Sequence, residues 1–209
     1  MTLRKSILLI CFVLLLDQCS KFYIKLNFPL YDAVVDWGWF RLLFIENKGM
    51  AWGTSFSDLI PFISDKTGKL LLSIIRIVAV SVIGVMLWNG IKKKQHNLLL
   101  ISGCLIFAGA LGNIIDSLFY GLLFSDSNGQ VASLFPEGGG YAPLFFGHVV
   151  DMLQFPIFTW DWPMWIPWVG GESFTFFEPV FNLADTSISM GVGIILVFNK
   201  RIFPKAKTE

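Results

Sequence analysis

The sequence predicts an all-α membrane protein: four transmembrane helices with a small extracytoplasmic β/loop subdomain. Three observations predict it. Of 209 residues, 55% are hydrophobic and 15% charged, whereas soluble domains carry about 25% charged residues. The apolar residues gather in long runs, four of which approach the roughly 20 helical residues needed to cross a hydrocarbon core about 30 Å thick. Lys and Arg cluster at alternate ends of those runs. A water-soluble globule is excluded, because the polar residues cannot cover runs of this length. With a net charge of +1 there is no global cationic field to gather nucleic acid, and none is expected as a partner.

The whole chain, 1–209, reads as one membrane domain. Span one is about 7–26: an unbroken apolar decad from Ile7 to Leu16, continued through Asp17, Gln18 and Lys21. Span two, about 70–88, is apolar except for Ser73, Arg76, Ser81 and Gly84. Span three, about 98–124, contains Asn113 and Asp116, and span four, about 180–198, contains Asn182 and Asp185. Helices are expected because lipid offers the backbone no hydrogen-bond partner. The basic start followed by an apolar decad resembles a secretory signal, and Leu16-Asp17-Gln18-Cys19 resembles a lipid-attachment box. No small-residue cleavage site follows and Gln18 stands where a small residue belongs, so the segment is kept as a span.

Four spans put both termini on one side. Arg4, Lys5, Lys92, Lys93, Lys94, Lys200, Arg201, Lys205 and Lys207 mark that side as cytoplasmic by the positive-inside rule. The segment 125–177 has no Lys or Arg and faces outward, as does 27–68, whose Trp37, Trp39 and Trp52 suit a membrane interface. In 125–177, Gly138, Gly139 and Gly140 mark a loop tip. Trp160, Trp162, Trp165 and Trp168 alternate there with Pro156, Pro163 and Pro167, a composition for irregular or edge-strand structure. Such a surface suits headgroup anchoring; contact with a substrate or partner is the alternative.

Acids and amides in spans are costly and usually face a cavity or partner. Asp17 and Lys21 share a helix face at i, i+4. Asn113 and Asp116 form an N-x-x-D pattern that Asn182 and Asp185 repeat, each pair on one face near the outer end of its span. Interhelical hydrogen bonding alone also accounts for such pairs. Asp151 lies in the short apolar stretch 148–153, where taken alone it reads as solvated or capping. The histidines, His96 and His148, fall on opposite sides, and Cys11, Cys19 and Cys104 form no close pair, so neither a metal centre nor a cofactor is expected. Nucleophile and phosphate-loop motifs are missing. Aspartates remain, and two of them in a low-dielectric site share one proton.

In order, Asp17-Gln18-Cys19-Ser20-Lys21, Asn47-Lys48-Gly49-Met50-Ala51-Trp52, the stretch Gly109 to Asp116, Val149-Val150-Asp151 and Phe181-Asn182-Leu183-Ala184-Asp185 resemble the motifs of the lipoprotein signal peptidases, or signal peptidase II. The resemblance implies a membrane aspartyl endopeptidase of the bacterial inner membrane. It implies that Asp151 and Asp185 are the catalytic pair and that Asp17, Lys21, Asn47, Gly49, Asn113, Asp116 and Asn182 shape the site. It also implies substrates that are lipid-modified prolipoproteins, cut just before the lipidated cysteine, with membrane lipid as the other partner and a monomer as the working unit. Three departures stand out. Ser117 follows Asp116 where the family usually has Arg, so a cation is missing or comes from elsewhere. Both the 116–151 and the 151–185 intervals are long for the family, which makes Asp116 a reserve partner for Asp185. Two other classes compete, a proton-coupled transporter and a noncatalytic scaffold; the apolar inner halves of spans three and four argue against the first.

Overall fold

The computed structural model describes residues 1–48 and 63–204. Its elements run α1 (Leu3–Asn27), β1 (Ala33–Asp36), β2 (Arg41–Asn47), α2 (Asp65–Lys92), α3 (Asn97–Ile115), a π-helical segment (Asp116–Tyr120) with a last turn Gly121–Leu123, β3 (Val149–Gln154), β4 (Phe158–Asp161), β5 (Ser173–Phe176), α4 (Leu183–Val197) and α5 (Asn199–Ile202). Three helices, Leu3–Asn27, Asp65–Lys92 and Asn97–Leu123, are long and apolar enough to cross a membrane, and Leu183–Val197 is a shorter apolar helix. The expected β/loop part is present as two small sheets, so the chain as a whole is not purely helical. Span four is also shorter than expected, since its helix starts at Asn182, where an N-cap replaces the extended backbone of Val180 and Phe181. Gly49 and Trp52, and Lys205 and Lys207 at the far end, lie outside the described residues.

The third helix is the hub: α3 packs against α1, α2 and α4. Small residues set how close α4 comes. A Cβ on Gly109 would run into the Ala184 carbonyl, one on Gly112 would lie 2.6 Å from Asp17 Oδ2, and one on Gly191 would lie 2.8 Å from the Ser102 carbonyl. Ser187 Oγ donates to the Leu105 carbonyl at 2.9 Å, a helix-to-helix hydrogen bond that such proximity allows.

At one end of the bundle sits the antiparallel sheet β1-β2-β3. Side chains of a strand alternate between faces, and here Phe44, Val150 and Met152 pack with Ile24, Tyr120 and Phe124 into a core that joins sheet to helices. Asn47 and Asp151 fall on the other face. The π segment secures this junction from below: Gly147 N–H donates to Ser117 O at 2.9 Å and Ala142 N–H to Gly121 O at 3.0 Å. Gly138 and Gly139 form an exposed tip, as expected, where a Cβ would meet nothing within 4 Å, while a Cβ on Gly140 would overlap the Gly121 and Leu122 carbonyls, so the run is seated on α3's extension at its last residue. The Trp-rich stretch forms the hairpin β4–β5, with Trp165 at 81% and Trp168 at 96% exposure beyond it.

The close α3–α4 contact yields a prediction. Gly109→Val forces the helices apart, an overpacking of about 1–3 kcal/mol, and lowers the thermal midpoint in detergent by several degrees. Gly193→Val, whose Cβ meets nothing within 4 Å, leaves the midpoint in place.

Candidate active site

Asp185 is set by local helix chemistry. Asn182 is the N-cap of α4: its Oδ1 accepts from Asp185 N at 2.9 Å, and Asp185 Oδ2 accepts from Asn182 N at 3.3 Å, a reciprocal capping box. Asp185 Oδ1 also accepts from Asn113 Nδ2 at 2.8 Å. Asp151 reaches the same place from the sheet. Phe181, just before the cap, forms an antiparallel bridge to Leu153 of β3, which lays the start of α4 along that strand. Asn182 Nδ2 then donates to Asp151 Oδ1 at 2.7 Å, and Asn47 Nδ2 donates to Asp151 Oδ2 at 3.3 Å. Asn47 and Asp151 meet because Asn47 pairs with Val149, which makes Asp151 its diagonal neighbour on the same face.

Asp151 is therefore buried, at 5% exposure, and not solvated as its isolated sequence context suggested. Burial, and after it the negative charge of Asp185, push its carboxyl up to about 7, against hydrogen bonds from Asn182 and Asn47 that act the other way.

Beneath this pair lies a fully enclosed ionic cluster. Lys21 Nζ meets Asp17 Oδ2 at 2.9 Å, Asp116 Oδ2 at 2.7 Å and Asn113 Oδ1 at 2.9 Å, so its three protons each have an acceptor. Asp17 Oδ1 accepts from Ala184 N at 2.9 Å, which satisfies another free N–H at the start of α4. Asp116 also accepts from Gln18 Nε2 at 3.0 Å and from Val150 N at 3.3 Å. Asp17, Lys21, Asn47, Asn113, Asp116, Asp151, Asn182 and Asp185 thus converge from five separate stretches of chain, while Gly49 lies outside the described residues. Among the described residues no group of three or more His, Cys, Asp or Glu is placed to hold a metal ion.

Several participants escaped the sequence reading. Gln18 joins Asp17 to Asp116 and accepts from Tyr120 Oη at 3.1 Å. Glu46 pairs with Lys25 and lies 2.8 Å from His148 Nδ1. Burial would raise the Glu46 carboxyl, but the His148 hydrogen bond and the Lys25 ammonium outweigh it and hold Glu46 down at about 2. Burial lowers His148, so a neutral imidazole donates Nδ1–H to the Glu46 carboxylate. Arg76, the one charged residue between Leu70 and Trp88, donates from Nη1 to Ser117 Oγ at 3.2 Å. That isolation was the readable signal.

Beside Asp185 a groove of about 520 Å³ is lined by Phe177, Phe181, Asp185, Thr186, Ser189 and Met190. An apolar channel ending on a carboxyl suits a ligand with an apolar body and a polar centre.

Long apolar helices with two carboxyls joined through Asn182 at one end of them, one buried and one on a groove, define a class, the multi-pass membrane protein with an acid pair. The family model described as signal peptidase (SPase) II matches residues 9–200, and the chain belongs to the signal peptidase II family. It is accordingly a peptidase. The lipoprotein signal peptidase of Porphyromonas gingivalis is 45% identical over 213 residues, covering 96% of this chain and 89% of that relative. The lipoprotein signal peptidase of Amoebophilus asiaticus is 38% identical over 192 residues, covering 89% and 73%. Two solved bacterial membrane enzymes share the fold, one with a TM-score of 0.58 at 25% identity over 99% of this chain and 94% of that one. The other has a TM-score of 0.57 at 27% identity over 93% and 92%.

Breaking the ionic cluster has a predictable cost. Lys21→Met leaves Asp17 and Asp116 buried without their cation, a loss of about 3–5 kcal/mol, read as a collapse of the thermal midpoint in detergent. Adding Asp17→Asn and Asp116→Asn to that variant recovers part of the loss.

Proposed function

We propose that this chain removes the signal segment from diacylglyceryl-modified prolipoproteins, cutting before the lipidated cysteine, with Asp151 and Asp185 as the catalytic pair. One observation carries the reading: a single buried residue, Asn182, touches both carboxyls, its side-chain amide donating to Asp151 at 2.7 Å and its backbone N–H donating to Asp185 at 3.3 Å. Two acids so held share a proton at neutral pH, and Asp151, at about 7, is its favoured seat.

Asp185 then takes a proton from water as that water attacks the scissile carbonyl. Asp151 donates its proton to the developing oxyanion; Asp185 then passes the proton it took from water to the amide nitrogen as the C–N bond breaks, and the carbon's hydroxyl returns a proton to Asp151 as the new carboxyl forms. Asn47, Asn113 and Asn182 hold the acids, and Asp17, Lys21 and Asp116 brace the start of α4. Asp116 is occupied by Lys21, Gln18 and Val150, which supports a bracing role over service as Asp185's partner.

An acylated substrate leaves a bilayer at a cost of about 0.8 kcal/mol per buried CH₂, so the acids must work at the membrane surface. In this reading the chain acts as a monomer of one membrane domain. Four helices cross the inner membrane, α4 with the α5 turn as the fourth, both termini are cytoplasmic, and the sheet and acid pair face outward. The aromatic β4–β5 hairpin rests among lipid headgroups.

Asp151→Asn and Asp185→Asn each lower processing about 10³-fold or more, seen as an unchanged mass of a lipidated precursor after incubation with folded variant. Retained turnover in Asp151→Asn with loss in Asp116→Asn transfers the role to Asp116. The pH dependence has a defined sign. Asp151 is raised from 3.8 to about 7, so its stabilising contribution is complete below about pH 4 and is lost as pH rises through 7. Asp151→Asn therefore raises the thermal midpoint at pH 8, with the gain shrinking as pH falls below 7 and gone below about pH 4, and wild-type turnover falls as pH climbs above 7.

A further inference from the structure

We propose that Arg76 is the electrostatic partner of the Asp151–Asp185 pair, a positioning residue whose positive charge keeps one of the two carboxyls ionised for base catalysis. The proposal rests on the catalytic reading of that pair.

Arg76 stands seven residues into the apolar stretch of α2, where a cation persists only by facing a partner or polar cavity. It shares a helix face with Lys69 and Ser73, at i, i+4 and i+7. Lys69 Nζ donates to the Phe146 carbonyl at 2.8 Å and Ser73 Oγ to the Phe145 carbonyl at 3.1 Å, so this face is turned toward the loop that leads into β3. Arg76 continues it at the site. Its Nη1 donates to Ser117 Oγ at 3.2 Å, Ser117 Oγ donates to the Asn113 carbonyl at 2.9 Å, and the Asn113 side chain donates to Asp185 at 2.8 Å.

The charges settle what Arg76 does. The carboxylates that attract its guanidinium are Asp185 first, from α4, then Asp151 from β3, then Asp116 from the π segment. Lys69 on its own helix opposes it. Lys21 spends its three protons on Asp17, Asp116 and Asn113, and its charge is the last of the influences on the Asp151 carboxyl. Two acids that share one proton still carry one negative charge, and half-buried Arg76 is placed to neutralise it. A cation favours the ionised form of a carboxyl beside it, the form that base catalysis requires.

The test measures kcat and KM from pH 5 to 9 on the full chain in detergent, with a lipid-modified precursor as substrate. Arg76→Gln lowers kcat about tenfold or more near pH 7, leaves KM within about twofold, and moves both limbs of the pH profile up by about one unit. Arg76→Lys, which keeps the charge, returns the limbs to their wild-type positions. Should Arg76→Gln fail to accumulate, Arg76→Met carries the same measurement with a side chain that lipid accepts. Limbs that stay in place while kcat drops equally at every pH, or limbs that Arg76→Lys leaves displaced, overturn the proposal. Turnover that survives Asp151→Asn or Asp185→Asn overturns instead the catalytic reading beneath it.

Discussion

One side-chain amide organises this molecule. Asn182 ends the extended backbone that bridges to β3, starts helix α4, and uses its remaining protons on Asp151, the Val150 carbonyl and Asn113 Oδ1. Three acceptors share two N–H groups, so the geometry leaves little slack. The constraint is mutual: the cap needs the bridge at Phe181 to bring it beside β3, and β3 needs the cap to hold Asp151 buried. Remove the amide, and the two acids belong to unrelated elements.

The ionic cluster beneath is the second condition. Buried ion pairs seldom add net stability, since desolvation offsets much of their attraction. Here Asp17, Lys21 and Asp116 serve direction more than strength. Asp17 caps α4 through Ala184, Asp116 ties the π segment to Val150 of β3, and Lys21 holds both acids together. Three elements are thus keyed to one ammonium.

Much of this was legible from residue order. Three of the long apolar runs and the i, i+4 pairing of Asp17 with Lys21 follow from helical spacing alone and the structure has them as read, whereas Asn182 and Asp185, read as one helix face, are joined instead as a capping box because Asn182 lies just outside the helix. What escaped depends on contacts between distant residues. Asp151 read alone is a solvated acid, and only the register of β2 on β3 and the Phe181 bridge bury it. Glu46, Lys25 and His148 lie 21 and 102 residues apart, with no local pattern linking them. The short α4 reflects a cap whose competing extended backbone a hydropathy run cannot reveal. Arg76 was visible as an interruption, but its partner Ser117 is 41 residues away.

The π-helical segment Asp116–Tyr120 has an effect beyond anchoring the loop that follows. Each helical residue advances the side-chain direction by about 100°, so one wide turn changes the angular phase of everything after it. Up to its first residue, Asn113 and Asp116 point at the amides and charged groups; from its last residue onward, Tyr120 and Phe124 meet the Phe22 ring at 5.6 and 5.0 Å. A single helix thereby serves two surfaces whose orientations a regular helix would lock together. The two surfaces are still tied by one strand of polar contact, Tyr120 Oη donating to Gln18, whose amide donates to Asp116.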